Sequence, residues 1–199
     1  MELPHKKIYL IRHGETEWTL NGRHTGMTDI PLTENGEAQA ETIGKRLKGH
    51  SFQAILSSPL QRAARTCEIA GFLKQARLDS DLVEWNYGNY EGLKGQEIRK
   101  NEPHWNIFLN GAPGGESVSD ISDRTGKVLN NIQSLHGDVA LFSHGHFLRA
   151  LAARWLQLNT QDGRLFALFP GSISILGFEH NGHVLSLWND VSHLDFSNG

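Results

Sequence analysis

The chain has 199 residues, 38% hydrophobic and 21% charged, with 19 lysines and arginines against 22 aspartates and glutamates. That length suits a single domain over 1–199 with a full core, and a net charge of −3 argues against nucleic acid or a membrane surface as a whole-protein partner. One cysteine, Cys67, excludes an intramolecular disulfide and fits a reducing compartment. The apolar stretch Ile8–Ile11 ends at Arg12, too short for a secretion signal or a membrane span, so a soluble, cytoplasmic protein is expected.

Lys7–Ile11 reads as a buried strand entered from a charged start. Arg12–Leu32 is polar and rich in glycine and threonine, which predicts a long functional loop. Thr33 is the expected cap of a helix that turns Ala38, Ala40, Ile43 and Leu47 inward and ends near Gly49. Phe52–Ser57 is a second short strand. Ser58-Pro59-Leu60-Gln61 places a cap, a first-turn proline and a capping-box glutamine in order, predicting a helix to about Phe72. Ala76–Val83 holds a further short strand. Glu84–Gly115 is irregular and aromatic, with a brief helix around Gln96–Asn101, and reads as a cap segment. Ser117 and Asp120 open a helix to about Leu135, followed by a strand at Asp138–Phe142 and a helix at Phe147–Leu156. Ser172–Glu179 and Val184–Trp188 flank His180-Asn181-Gly182-His183, whose Asn-Gly is a hairpin signal. Strands alternating with helices predict an α/β domain with a mostly parallel sheet and a terminal antiparallel hairpin. The hairpin edge offers a pairing surface, so a homodimer is among the expected assemblies.

In such sheets chemistry gathers at the carboxyl ends of the strands. Arg12-His13-Gly14-Glu15-Thr16 follows the first strand, Arg62 lies early in the helix after the second, and Ser143-His144-Gly145-His146 follows the strand near 140. A neutral imidazole attacks phosphorus, so His13 is the candidate nucleophile. Arginine, planar and always charged, neutralises phosphoryl oxygens; Arg12 and Arg62 suit that role, with protonated His144 as a third donor. Gly14 and Gly145 would let main-chain N–H groups approach. One carboxyl must protonate the leaving oxygen and then activate water; Glu84 fits, and Trp85 and Tyr87 beside it suggest a pKa raised by desolvation.

These residues carry a resemblance. Arg-His-Gly-Glu-Thr-Glu-Trp (12–18), Ser-Ser-Pro-Leu-Gln-Arg-Ala-Ala-Arg-Thr (57–66), Glu84 with Tyr-Gly-Asn-Tyr-Glu-Gly (87–92) and Ser-His-Gly-His (143–146) are similar, in order, to the pattern of the histidine phosphatase superfamily, also called phosphoglycerate mutase-like. The resemblance implies a three-layer α/β/α sandwich on a mixed sheet, phosphohistidine formation on His13, a phosphate pocket of Arg12, Arg62 and His144, Glu84 as proton donor, and no metal or cofactor. Many members carry Asn directly after the tryptophan of the first motif; here Thr19 stands there, with Asn21 two residues on, and both are candidate contacts. His24, Thr25, Gly26, Gly14 and Gly145 complete the candidate substrate-binding set. Glu84 followed by Trp-Asn-Tyr-Gly, the short chain, and His146 in place of a mutase asparagine favour the acid-phosphatase and sugar-phosphatase branches. The expected partner is a small phosphorylated metabolite; a mutase and a catalytically silent phosphate-ester binder are the alternatives.

Other signals carry less. His144 and His146 alternate as metal ligands on a strand would, but no third ligand has suitable spacing and Gly145 suggests a turn. Asp79-Ser80-Asp81-Leu82-Val83 imitates an aspartate-nucleophile motif without the buried strand that chemistry needs. Cys67 lacks the arginine of a cysteine phosphatase, since residue 73 is Leu, and reads as helix core. Arg65 reads as a solvated helix residue, and His5, His50, His104, His136, His180, His183 and His193 as mostly surface. The aromatic run from Trp85 to Phe108 reads as a satellite core, a lid, or both. Glu116 either reaches the rim of the site or serves its helix dipole. Lys94, Arg99 and His24 are candidates for gripping a second anionic group.

Overall fold

The computed structural model describes residues 6–180 and 182–194; His5 and Asn181 lie outside them. In chain order the elements are β1 (Ile8–Arg12), α1 (Glu17–Asn21), α2 (Glu34–Arg46), β2 (Ala54–Ser57), α3 (Gln61–Ile69), β3 (Ala76–Leu78) and α4 (Gly95–Asn101). Then come α5 (Ile107–Asn110), α6 (Val118–Gln133), β4 (Val139–Ser143), α7 (Gly145–Trp155), β5 (Ile173–Glu179) and β6 (Gly182–Asp190).

The six strands lie in the order β3-β2-β4-β1-β5-β6. The first four are mutually parallel, β5 runs antiparallel to β1, and β6 antiparallel to β5. This is the expected mixed sheet with its terminal hairpin. Alternation along β1 assigns the layers, because successive side chains leave opposite faces. Ile8 and Leu10 pack with Val128, Ile132, Leu148, Leu151 and Trp155 of α6 and α7. Tyr9 and Ile11 pack on the other face with Ile43 of α2 and Cys67 of α3. A third cluster, Trp85, Tyr87, Ile98, Trp105, Phe108 and Ile121, sits beneath the cap segment and reaches α7 through Ala150. Helix α7 is covered on nearly every side, with Phe147, Leu148, Leu151 and Trp155 all buried. Each such side chain contributes about 1.5–3 kcal/mol relative to exposure.

Several local expectations change. The loop after β1 contains α1, begun by a capping box in which Thr16 accepts from the Thr19 amide. Ala38 lies on the exposed side of α2, and the inward stripe uses Gly36, Ala40 and Ile43. Helix α3 starts at Gln61 with Leu60 at its cap position, so Ser58 does not cap it. Its hydroxyl accepts from the Leu60 amide at 3.3 Å and is otherwise engaged in the site. The segment from 76 to 83 divides into β3 and a 3-10 turn at Ser80–Leu82 capped by Asp79, which excludes the aspartate-nucleophile strand.

The loop after β1 meets the start of α2 backbone to backbone. A Cβ on Gly14 would collide with the Gly36 carbonyl, and a Cβ on Gly36 with the Glu15 carbonyl. Alanine is better than glycine within a helix by about 1 kcal/mol, whereas forced overpacking costs about 1–3 kcal/mol. The collision involves main chain that cannot swing aside, so overpacking wins. Gly36→Ala is therefore expected to lower the unfolding free energy, read by denaturant titration, and to lower activity through displacement of the residue 13–15 loop.

Candidate active site

The carboxyl ends of β1, β2 and β4 deliver Arg12 and His13, Ser57 and Ser58, and Ser143 and His144 to one place. Their register is continuous, since Arg12 pairs with Ser143 and Ser57 with Phe142. Beyond these ends lies a cavity of about 380 Å³ lined by Arg12, His13, Thr19, Gly22, Arg23, His24, Thr25, Glu84, Tyr87, His146 and Leu168–Pro170. Arg62 and His144 stand fully buried directly behind its wall.

His13 is held from both sides. Its amide donates to the Ser143 carbonyl at 3.0 Å, and its own carbonyl accepts from Gly171 at 2.9 Å. The ring Nδ1 lies 2.7 Å from the Gly14 carbonyl. Burial, with Arg62 and Arg12 nearby, holds the imidazole pKa well below its ordinary range, so the ring is neutral. A neutral ring facing a carbonyl must carry its proton on Nδ1, leaving the Nε2 lone pair free.

Behind it runs a hydrogen-bonded chain. Arg62 Nε donates to His144 Nδ1 at 3.1 Å, and His144 Nε2 donates to Ser58 Oγ at 2.8 Å. Burial and the charge of Arg62 hold His144 well below its ordinary pKa, so it stands neutral rather than as the protonated donor expected. Both of its ring nitrogens are engaged with protein partners. The other Arg62 donors go to the Thr28, Thr25 and Gly26 carbonyls at 2.9, 3.4 and 2.8 Å. Arg12 donates to the Leu168 carbonyl while its buried Nε has no partner among the described residues. Burial brings Arg12 down to about 10, opposed by Glu84, and it stays charged at neutral pH.

Glu84 corrects the expected direction. Burial does push its carboxyl up, but hydrogen bonding and charge from His146, and the charge of His144, bring it well below the usual range. Both imidazoles are themselves pushed toward neutral by burial, so the main-chain donors are the firmer cause. Trp85 and Phe147 amides reach Oε1 at 2.9 and 2.8 Å, and the His146 amide reaches Oε2 at 3.0 Å. Two of these donors belong to the start of α7, where a carboxylate also meets the positive end of the helix.

The substrate-binding set divides. Thr19, His24 and Thr25 line the cavity. The Thr19 hydroxyl is taken by Thr16, however, donating to its carbonyl at 2.8 Å and accepting from its amide at 2.9 Å. Asn21 turns away to bond Glu17 and does not line the cavity. The Gly14 amide is spent on Thr66 Oγ1 at 3.1 Å, so this glycine serves packing and holds His13 by its carbonyl. Gly145 leaves room for the Arg12 guanidinium. Gly26 supports Arg62 from behind and lies outside the cavity lining. Cys67 is buried, and burial pushes its thiol up to about 12, leaving it inert.

Sequence reading missed three supports. Ser58 presented itself as a helix cap. Glu91 accepts from the Gly26, Met27 and Thr28 amides at 2.7, 3.3 and 3.2 Å, fixing the loop that binds Arg62. Arg124 donates to the Asp81, Val83 and Glu84 carbonyls at 3.0, 2.6 and 3.1 Å and pairs with Glu116 at 2.8 Å. Glu116 therefore braces the Asn86 main chain and the Arg124 side chain and does not line the cavity. None of these pairs has a short-range signature.

A family profile described as histidine phosphatase superfamily (branch 1) matches residues 8–191. The chain belongs to this family. It is 39% identical over 199 residues to an acid phosphatase of Mycobacterium tuberculosis, covering 97% of each chain. It is 36% identical over 207 residues to a protein of Salmonella choleraesuis named probable phosphoglycerate mutase GpmB, covering 95% of each. The solved structure of the open reading frame Rv3214 product from Mycobacterium tuberculosis superposes with a TM-score of 0.86 at 39% identity, covering 92% of this chain and 97% of that one. Among the described residues no helix is long and apolar enough to cross a membrane.

Arg124 is only 11% exposed, and its removal takes two donors from Glu116 and the guanidinium donor from each of three carbonyls. Arg124→Met is expected to cost about 3 kcal/mol, the low end for breaking a buried pair. Denaturant unfolding reads the loss. Steady-state kinetics are expected to show kcat falling more than KM rises, because Glu84 loses its main-chain support.

Proposed function

We propose that this chain is a phosphatase of the histidine acid phosphatase type. It hydrolyses small phosphomonoesters, sugar phosphates or similar, through a phosphohistidine on His13 and without a metal ion. The observation that carries this reading is the placement of one free imidazole lone pair, one buried guanidinium and one carboxylate in the wall of a single cavity. Phosphatase or mutase activity follows from the family, and the identity to an acid phosphatase over nearly the whole chain favours hydrolysis. A cavity of about 380 Å³ falls at the small end of ligand sites.

In the first step His13 Nε2 attacks phosphorus and the ester P–O bond breaks. Glu84 passes its proton to the departing oxygen. Arg12 neutralises phosphoryl oxygens from the cavity wall, with Arg62 adding charge from behind, held there by its bond to His144. In the second step the Glu84 carboxylate takes a proton from water as its oxygen attacks phosphorus. The N–P bond breaks, its electron pair returns to His13, and inorganic phosphate leaves. A binder without chemistry would need the arginines but neither His13 nor Glu84.

Glu84 is a carboxylate in the empty site, so its proton must arrive with the substrate. A phosphate dianion placed beside a carboxylate raises that carboxyl's pKa, because two like charges in a buried site repel. Falling pH therefore loads the acid, while His13, depressed by burial and two arginines, stays neutral well into the acid range. Activity is expected to rise as pH falls from about 8 to about 5. Glu84→Gln should lose most activity on alkyl phosphates and much less on p-nitrophenyl phosphate, whose leaving group needs no proton. His13→Ala should abolish turnover and EDTA should leave the wild type unchanged. The deciding assay is phosphate release across a phosphomonoester panel beside interconversion of 3- and 2-phosphoglycerate. Interconversion without release would replace hydrolysis by mutase chemistry, and loss in EDTA restored by Mg²⁺ or Zn²⁺ would overturn the metal-free mechanism.

A further inference from the structure

A third histidine faces the site without a part in the mechanism above. His146 lines the cavity, and its own amide is one of the donors on Glu84 Oε2. Its ring Nδ1 lies 3.9 Å from that same oxygen, the separation of an ion pair and too long for a hydrogen bond. The closer partner is Tyr87, whose hydroxyl lies 2.5 Å from Nδ1. Tyr87 is buried, with His24 stacked on its ring at 4.8 Å and Trp105 at the edge of His24.

The hydrogen count decides the direction of that bond. Among the described residues the Tyr87 hydroxyl has no other hydrogen-bond partner. Burial, with the charge of Glu84 beside it, keeps the phenol protonated far above neutral pH. A buried O–H with one partner donates to it. Nδ1 therefore accepts, and the neutral ring carries its proton on Nε2. Nδ1 is also the nitrogen nearest Glu84, so the phenol occupies the one position from which a protonated His146 would pair with the carboxylate.

We infer that Tyr87 is a positioning residue that keeps His146 from becoming the cationic partner of Glu84, and so leaves Glu84 free to take up and deliver a proton. This rests on the proposed acid role of Glu84. Around the pair, Arg12, Arg62 and Arg149 contribute positive charge, His144 and His24 stand as imidazoles on the other elements packed there, and Glu84 and Glu91 are the carboxylates whose charge reaches it. Arg149 is itself drawn over the Phe108 ring at 4.6 Å. Without the Tyr87 hydroxyl, Nδ1 is open to a proton, and an imidazolium at 3.9 Å would hold Glu84 as a carboxylate. An opposite charge at such range lowers a carboxyl pKa by about one unit or more.

Tyr87→Phe keeps the ring and its stacking, so it isolates the hydroxyl. The expected result is a kcat–pH profile whose basic limb moves about one unit lower, a loss of about tenfold on that limb. The loss in the acid plateau should be much smaller than on that limb. Glycerol phosphate should suffer more than p-nitrophenyl phosphate. Tyr87→Phe combined with His146→Asn, which cannot carry the charge, should return the limb to its original position. The ¹⁵N shifts of His146 in the unliganded wild type should report a proton on Nε2, and in Tyr87→Phe a ring that takes up its second proton at a higher pH than in the wild type. A raised KM at unchanged kcat, a uniform loss at every pH, no rescue by the double variant, or a proton on Nδ1 in the wild type would each overturn the inference. The ¹⁵N measurement does not depend on turnover. Absence of phosphatase activity in the wild type would sink the functional reading separately.

Discussion

The Glu84 carboxylate and the first-turn amides of α7 satisfy one another, and the site is organised around that bond set. Helix α7 begins at once after a fully buried strand, so its opening amides have neither water nor intrahelical partners to use. Leaving a buried donor unpaired costs about 1–3 kcal/mol. Glu84 answers the His146 and Phe147 amides from sixty-two and sixty-three residues away in sequence, and its neighbour Trp85 adds a third donor. One side chain thereby locks the cap segment to the strand-end loop and brings a carboxylate within reach of the His13 cavity.

Charge balance follows from the same arrangement. Arg12 and Arg62 are buried cations, and Glu84 is the carboxylate that opposes desolvation at both. Burial pushes His13 and His144 toward neutrality, so the imidazoles add no further charge. Arg149 and the cavity-lining Arg23 add to this positive field, which suits a phosphoryl dianion. The proposed chemistry uses the repulsion between that dianion and Glu84, because a proton on the carboxyl relieves it where the leaving oxygen needs the proton. In that proposal a nucleophile kept neutral by burial and arginines and an acid loaded by its own substrate are two results of one electrostatic field.

The sequence carried the parts of this site whose identity is chemical and whose position is a strand end. His13, Arg12 and His144 could be placed because a short apolar strand followed by a polar, glycine-containing turn delivers them to the same edge of a parallel sheet. Arg62 followed from the helix start after β2. Ser58 was misread for a definite reason: Ser-Pro-x-Gln has the composition of a cap, and the competing bond to His144 Nε2 crosses eighty-six positions. The direction of the Glu84 pKa was misjudged similarly. Trp85 and Tyr87 advertise desolvation in the sequence, whereas the opposing amides appear only once α7 is docked. Thr19 could not be separated from Asn21 because their difference lies in α1, a five-residue helix too short to leave a periodic signal.

The irregular backbone around the cavity shows a common solution to a common problem. A loop beside a buried site has amides that no ladder satisfies, and here single carboxylates from distant segments supply the acceptors. Glu91 takes the amides of residues 26–28, Glu116 the amide of Asn86, and Glu15 binds the Thr33 hydroxyl and the Asn35 amide group at the start of α2. Arg124 does the converse for the carbonyls of 81, 83 and 84. Acidic side chains that read in composition as a solvated surface are therefore partly structural acceptors. Their main-chain bonds order the loops before any ligand enters, and the entropy of ordering them is not charged against substrate binding. In the proposed reaction, rigid walls around His13 would aim a neutral nucleophile at its substrate. The aim comes from main chain, and the main chain is held by charges that never touch the reacting phosphorus.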